Sequence, residues 1–202
     1  MGISDRKERE KQEMRKLIIG AAMDMFIKDG YEKTSIRNIA EKIEYSPATI
    51  YLYYKDKDDL FYEIQREAFD HLHAYFQQHA ISADPMERLR QLLKAYIEYG
   101  IANPDLYDLM FILRSPMKAV QEDEFWENCH GAFQFLLDTV GAAKDHLRFS
   151  DPVQAGMILW GLGHGIIALT IRGRMKVTRM NEDEQADLVQ SALQQFLQII
   201  QQ

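Results

Sequence analysis

Apolar residues recur at helical intervals along most of the chain. Leu17, Ala21 and Met25, flanked by Ile18, Ala22 and Phe26, form a stripe that stops at Gly30. Ile36, Ile39, Ala40 and Ile43 mark a short second helix after Thr34, and Leu60, Ile64, Ala68, Leu72 and Phe76 mark a long one. Leu89, Leu93, Tyr96 and Ile97 follow, then Leu106, Met110 and Leu113, then Trp126, Cys129, Phe133, Leu136 and Val140. Val153 to Ile171 is apolar almost throughout, and a last stripe from about residue 182 holds Val189, Ala192, Leu193, Phe196 and Ile200. Spacings of three and four place side chains on one face of an α-helix. No sustained period-two run and no internal repeat competes with them. The pattern predicts an all-α fold of about nine helices.

Polar punctuation agrees. Each of the five prolines follows a capping type of residue: Ser46-Pro47, Asp84-Pro85, Asn103-Pro104, Ser115-Pro116 and Asp151-Pro152. Proline suits the first helical position, where an amide would lack a partner anyway, and Ser, Asp or Asn before it accepts from the next free amides. Asp84 with Glu87, and Asp151 with Gln154, have capping-box spacing. Asp56 with Asp59, and Asn181 with Glu184, mark two further starts.

Two of the short elements form a unit of their own. Ser35 to Ile43, a turn at Glu44-Tyr45, and Pro47 to Tyr54 have helix-turn-helix spacing. The second helix is too short to stand alone. Ile50 and Tyr54, one turn apart, face its core. Pro47, Ala48, Thr49, Tyr51 and Tyr53 face outward. Small residues at its start admit close approach to a major groove, and Thr49 can meet a base or a thymine methyl. The phenols of Tyr51 and Tyr53 suit phosphate oxygens, and Lys57 stands where a helix start already favours anions.

Charge bears on this reading. The 202-residue chain has a net charge of −7, but the deficit lies entirely beyond residue 60. From Lys33 to Lys57, five basic residues face three acidic ones, so a locally basic patch sits on an acidic body. Cys129 is the only cysteine, so no intrachain disulfide forms. The charged opening MGISDRKEREKQEMRK has no signal-peptide core. Val153 to Ile171 reads as a buried or interface helix rather than a membrane span, and the expected location is cytoplasmic. His71 and His73 point apart on a helix, and Cys129-His130 lack partners at metal spacing. No nucleophile–base pair or phosphate loop supports an enzyme. We expect no catalytic residue, metal or cofactor, and no membrane partner. A helical enzyme and an architectural DNA-binding protein are the competing classes.

The segment GYEKTSIRNIAEKIEYSPATIYLYYKDKDDLF resembles the DNA-binding domain of the TetR family of one-component regulators, with the similarity running over about residues 15–62. The resemblance implies a homodimer that binds operator DNA, most often as a repressor released by a small molecule. It implies phosphate contacts from Thr34, Ser46, Tyr51 and Lys57, with Ala48, Thr49 and Tyr53 near bases. Ser35, Arg37 and Pro47 complete the expected DNA-binding set. Glu44 departs from a usual glycine, Tyr54 from a usual phenylalanine, and Leu52 from a usual polar residue. NPDLYDLMF and WGLGHG, with Trp160, His164 and Gly165, resemble the C-terminal variant named for a Trp-His-Gly signature.

The implied division is a DNA-binding domain over 1–55 and an effector-binding and dimerisation domain over 56–202. An apolar cavity for a hydrophobic or aromatic effector is expected among Tyr96, Tyr99, Tyr107, Met110, Phe111, Phe125, Trp126, Phe133, Trp160 and His164. The dimer is expected to form through the last two long helices, at Gly161, Gly165, Val189, Ala192, Phe196 and Ile200.

Overall fold

The computed structural model describes residues 3–113 and 129–202. Among these, nine α-helices occur and no strand: α1 Ile3–Asp29, α2 Ile36–Lys42, α3 Pro47–Tyr51, α4 Lys57–His79, α5 Pro85–Ala102, α6 Pro104–Phe111, α7 His130–Ala143, α8 Pro152–Ile171 and α9 Glu182–Ile200. The expected start at Ser115-Pro116, and the candidates Phe125 and Trp126, lie outside the described residues.

The predicted caps close the helices. Asp84 accepts from the Glu87 amide at 2.7 Å, while Asp151 accepts from the Val153 amide at 2.8 Å rather than from the Gln154 amide of the expected capping box. Asn181 and Glu184 make a reciprocal capping box, at 3.0 and 2.8 Å. Each such cap stabilises by about 1 kcal/mol. Asn103 differs: its side-chain amide donates back to the Tyr99 carbonyl, so it closes α5. Helix α1 begins well before its apolar stripe. Its exposed first turns are held by i,i+4 pairs such as Arg6–Glu10 at 3.2 Å, a pattern that supports a helix without a core face.

The described residues form two compact units. The first combines residues up to Ala68 with those from Asp105 onward in α6, and the second combines Phe69–Pro104 with Cys129–Gln202. The division falls inside α4, whereas the sequence placed a functional boundary at its start. In the first unit, Phe26, Tyr31 and Phe61 meet ring to ring at 5.1–5.5 Å, over a core of Ile18, Ala22, Ile39, Ile50 and Leu60. Gln65, buried, donates to the Leu109 carbonyl of α6 at 3.1 Å.

In the second unit α5, α7 and α8 pack closely, and α9 joins α5. Glycines set the approach. A Cβ on Gly163 would come within 2.8 Å of the Tyr96 ring, one on Gly156 within 2.8 Å of Leu137, and one on Gly100 within 2.7 Å of Ile167. The connection between α7 and α8 is tied to the residues after α9. Leu147 and Gln201 form an antiparallel bridge, the Arg148 amide donates to the Ile200 carbonyl, and the Gln202 amide donates to the His146 carbonyl. Helix α8 is long and apolar enough to cross a membrane, and much of its surface is uncovered within one chain.

Candidate DNA-binding interface

The geometry around α3 begins with its two serine caps. Ser35 accepts from the Asn38 amide and starts α2; Ser46 accepts from the Thr49 amide and starts α3. Between them Glu44 has φ of +61°, the left-handed region that favours glycine. That is the conformation expected for the residue standing where a glycine is usual. The chain then returns through Tyr45, whose amide donates to the Ala40 carbonyl.

Helix α3 ends sooner than expected, at Tyr51 rather than Tyr54. The Leu52 amide donates to Thr49 and the Tyr53 amide to Ile50 in three-residue bonds, and the Tyr54 amide shares the Ile50 carbonyl at 3.0 Å. Ile50 and Tyr54 are buried as predicted. The outward set is largely open: Pro47 and Ala48 are exposed, Tyr51 is 55% exposed, and Thr49 and Tyr53 are half-buried. Thr49 also shares a hydroxyl contact of 3.0 Å with Ser46. Arg37 is exposed and pairs with Glu41 at 3.2 Å. Tyr45, exposed in the turn beside Ser46, was not singled out from the sequence. A tyrosine off the helical stripe, next to a cap, was the available signal.

Two expected phosphate ligands have other partners. Thr34 is only 2% exposed, and its hydroxyl is shared between the Gly30 carbonyl at 2.9 Å and the Met25 carbonyl at 3.3 Å. It therefore holds the α1–α2 turn and does not face solvent, which corrects the contact inferred by resemblance. Lys57 Nζ donates to the carbonyls of Tyr31 at 2.8 Å and Thr34 at 3.0 Å, and lies 3.9 Å from the centre of the Tyr31 ring. An ammonium has three donors. Two of them secure the turn, and one remains for an anion.

Electrostatics here follow burial. The Tyr31 hydroxyl reaches Asp58 at 3.4 Å, and burial together with that carboxylate raises its pKa strongly. Burial, with Glu63 nearby, pushes Tyr54 up to about 12. Its hydroxyl is buried with no hydrogen-bond partner among the described residues.

The expected effector residues divide between the units. Tyr107 and Met110 are buried in the first unit, with Phe111 5.2 Å from Tyr107 ring to ring. Tyr96, Tyr99, Phe133, Trp160 and His164 belong to the second. There the Trp160 indole donates to the Tyr96 hydroxyl at 3.1 Å, and Phe133 lies 5.8 Å from the Trp160 ring. His164 is half-buried, which lowers its pKa.

The expected dimer residues also divide. Val189 and Ile200 are buried within their own chain, at 8% and 4% exposure, and cannot serve a partner. The α9 stripe is wider than one subunit covers, and these two lie on its inner side. Ala192 and Gly161 are exposed, while Phe196 and Gly165 are half-buried. Val153, Met157 and Leu169, with Gly161 and Gly165 between them, form an open row at four-residue spacing along α8.

Comparison with known proteins gives the family. The model described as "Bacterial regulatory proteins, tetR family" matches residues 18–64, and that of "Tetracyclin repressor-like, C-terminal domain" matches residues 89–196. The chain is 30% identical over 109 residues to the HTH-type transcriptional regulator AcrR of Shigella flexneri, covering 52% of this chain and half the length of that relative. It is 22% identical to the HTH-type transcriptional repressor KstR of Rhodococcus jostii, over 88% of this chain and 86% of that one. The fold matches that of FadR from Bacillus subtilis, solved in complex with stearoyl-CoA, with a TM-score of 0.69 at 17% identity, covering 88% and 96% of the two chains. With a Ser46-capped helix presenting an open face and both family models matched in order, the chain belongs to the TetR family and is a DNA-binding transcriptional regulator.

Proposed function

We propose that the protein is a homodimeric repressor released from its operator by a small hydrophobic or aromatic effector. The observation that carries the DNA half is the open face of α3. Pro47, Ala48 and Tyr51 are exposed beyond a capped helix start, with Thr49 and Tyr53 half-exposed. Small residues followed by phenols fit base approach flanked by backbone contacts. Ser35, Arg37, Ser46 and the free donor of Lys57 supply further phosphate ligands, and Tyr45 joins them.

The homodimer is supported by the uncovered α8 row and by the exposed side of α9, where Leu188, Ala192 and Ile199 recur at helical spacing. A twofold partner laid on these faces makes a self-complementary interface. It sets two reading helices at a half-site spacing of roughly one DNA turn or a multiple of it. The effector reading is supported by the cluster of Tyr96, Phe133, Trp160 and His164 in the second unit, which has few charges and three polar tips. An effector acts only by binding two subunit shapes with different affinity.

Selection of bound DNA from a random pool, with wild type and Thr49→Ala, tests the reading. A single enriched site whose base preference shifts in the variant is expected. Enrichment of no site would favour an architectural role.

A further inference from the structure

The second unit holds a half-buried cation against an aromatic ring. Arg88, in the first turn of α5, is half-buried, and its Nε is buried with no hydrogen-bond partner among the described residues. Neighbouring charges on the same helix are paired, Arg90 with Glu87 and Lys94 with Glu98. Arg88 makes no ion pair among the described residues. Its guanidinium lies over the Phe135 ring of α7, with Cζ 5.2 Å from the ring centre. His73 meets the same ring edge-on at 5.8 Å, and Phe76 lies 6.1 Å from it. Phe76 in turn is 6.2 Å from Tyr96. A cation thus stands at one end of a run of aromatic rings.

A buried donor left unsatisfied costs free energy, and each such group in a folded protein calls for an explanation, a bound ion among them. The cation–π contact offsets part of that cost but fills no N–H. A planar guanidinium is shaped for a two-oxygen anion and gives it short, charge-assisted bonds. In a half-buried site those bonds are weakened less by water than at the open surface.

We propose that Arg88 anchors the anionic head of an amphiphilic effector: a monocarboxylate whose apolar body lies against Phe135 and the rings next to it. The inference rests on the effector reading above and adds a charge requirement to it. Neutral aromatic or aliphatic compounds of the same size are then poor effectors.

The test is direct titration, followed by tryptophan fluorescence and calorimetry, of hexanoate, decanoate and tetradecanoate, each against its matching primary alcohol. The proteins are wild type, Arg88→Met, which keeps the apolar stem, and Arg88→Lys, which keeps the charge. The acid of the best-fitting length should bind wild type at least about tenfold tighter than its alcohol, the scale of one charge-assisted hydrogen bond. In Arg88→Met that ratio should fall to about one, and Arg88→Lys should restore part of it. Equal binding of acid and alcohol to wild type overturns the proposal. So does an acid preference that survives in Arg88→Met, or the absence of Arg88-dependent binding across the whole series. If Arg88→Met fails to fold, the wild-type ratio and Arg88→Lys still decide. Operator affinity is measured separately. An acid that binds through Arg88 and leaves operator affinity unchanged sinks the effector reading while the anion site stands. Release of operator by acid and alcohol alike sinks the anion site and leaves the effector reading intact.

Discussion

Single residues carry conformational costs that the fold tolerates. Glu44 holds φ of +61° in a turn where glycine would be unstrained. Glu44→Gly should be neutral or stabilise by up to about 1 kcal/mol, read as a denaturation midpoint, and a clearly lowered midpoint would contradict the strain. Tyr54 buries a hydroxyl without a partner among the described residues, so Tyr54→Phe should stabilise by about 1 kcal/mol. The raised pKa of Tyr54 sets a sign as well. The unfolded phenol loses its proton near pH 10 while the folded one holds it to about 12, so stability drains away as pH rises across that window. The phenylalanine variant should lose less there. Lys57 was legible as a candidate DNA ligand because a basic residue at a helix start is a local signal. Its bonds to Tyr31 and Thr34 were not legible, since they span 26 and 23 residues. Lys57→Ala should therefore do two things. It should lower stability by about 1–3 kcal/mol, and it should weaken binding to all DNA sequences alike, with a salt slope shallower by about one. Sequence-selective loss would show that Lys57 reads bases.

Helices were read well where their signals are local. Asn181 and Glu184 foretold the start of α9, and the Leu60–Phe76 stripe foretold the buried face of α4. The end of α3 differs from the sequence expectation because Tyr54 keeps helical spacing to Ile50 while the backbone tightens at Leu52 and Tyr53. Which side of the α9 stripe serves its own core was not legible either, because Val189 and Ala192 are both apolar and only the fold distinguishes them. The glycines of α8 separate two roles in the same way. Gly163 admits the Tyr96 ring, so Gly163→Ala should cost about 1–3 kcal/mol by overpacking. Gly165 has nothing within 4 Å of a Cβ. Gly165→Ala should raise the stability of a lone subunit by about 0.5–1 kcal/mol through helix propensity. Sedimentation of that variant reports on the interface: weakened association with a better-folded subunit is the result expected if the partner lies on this row.

For the whole molecule, the proposed homodimer makes assembly a condition of specific DNA binding. Phe196 lies half-buried at the margin of the α9 face. Phe196→Glu should give monomers or unfolded chains and lose specific DNA binding, since one reading helix alone makes too few contacts. A folded Phe196→Glu dimer with normal operator affinity would rule the interface out. If a small molecule releases the operator, as proposed, effector and operator oppose each other reciprocally, with a coupling of roughly 1–3 kcal/mol. Paired titrations of a ligand, with and without operator, measure it, and equal affinities would exclude that ligand as inducer.

The bridge between Leu147 and Gln201 joins segments more than fifty residues apart in sequence. Arg148 donates from both its amide and its Nε to the Ile200–Gln201 carbonyls, and the Gln202 side chain donates to the Asp145 carbonyl. Neither segment can loosen without breaking bonds to the other. The amides of Arg148 and Gln202 should then exchange their hydrogens through one shared opening, at similar protection, although one belongs to a connection and the other follows the last helix.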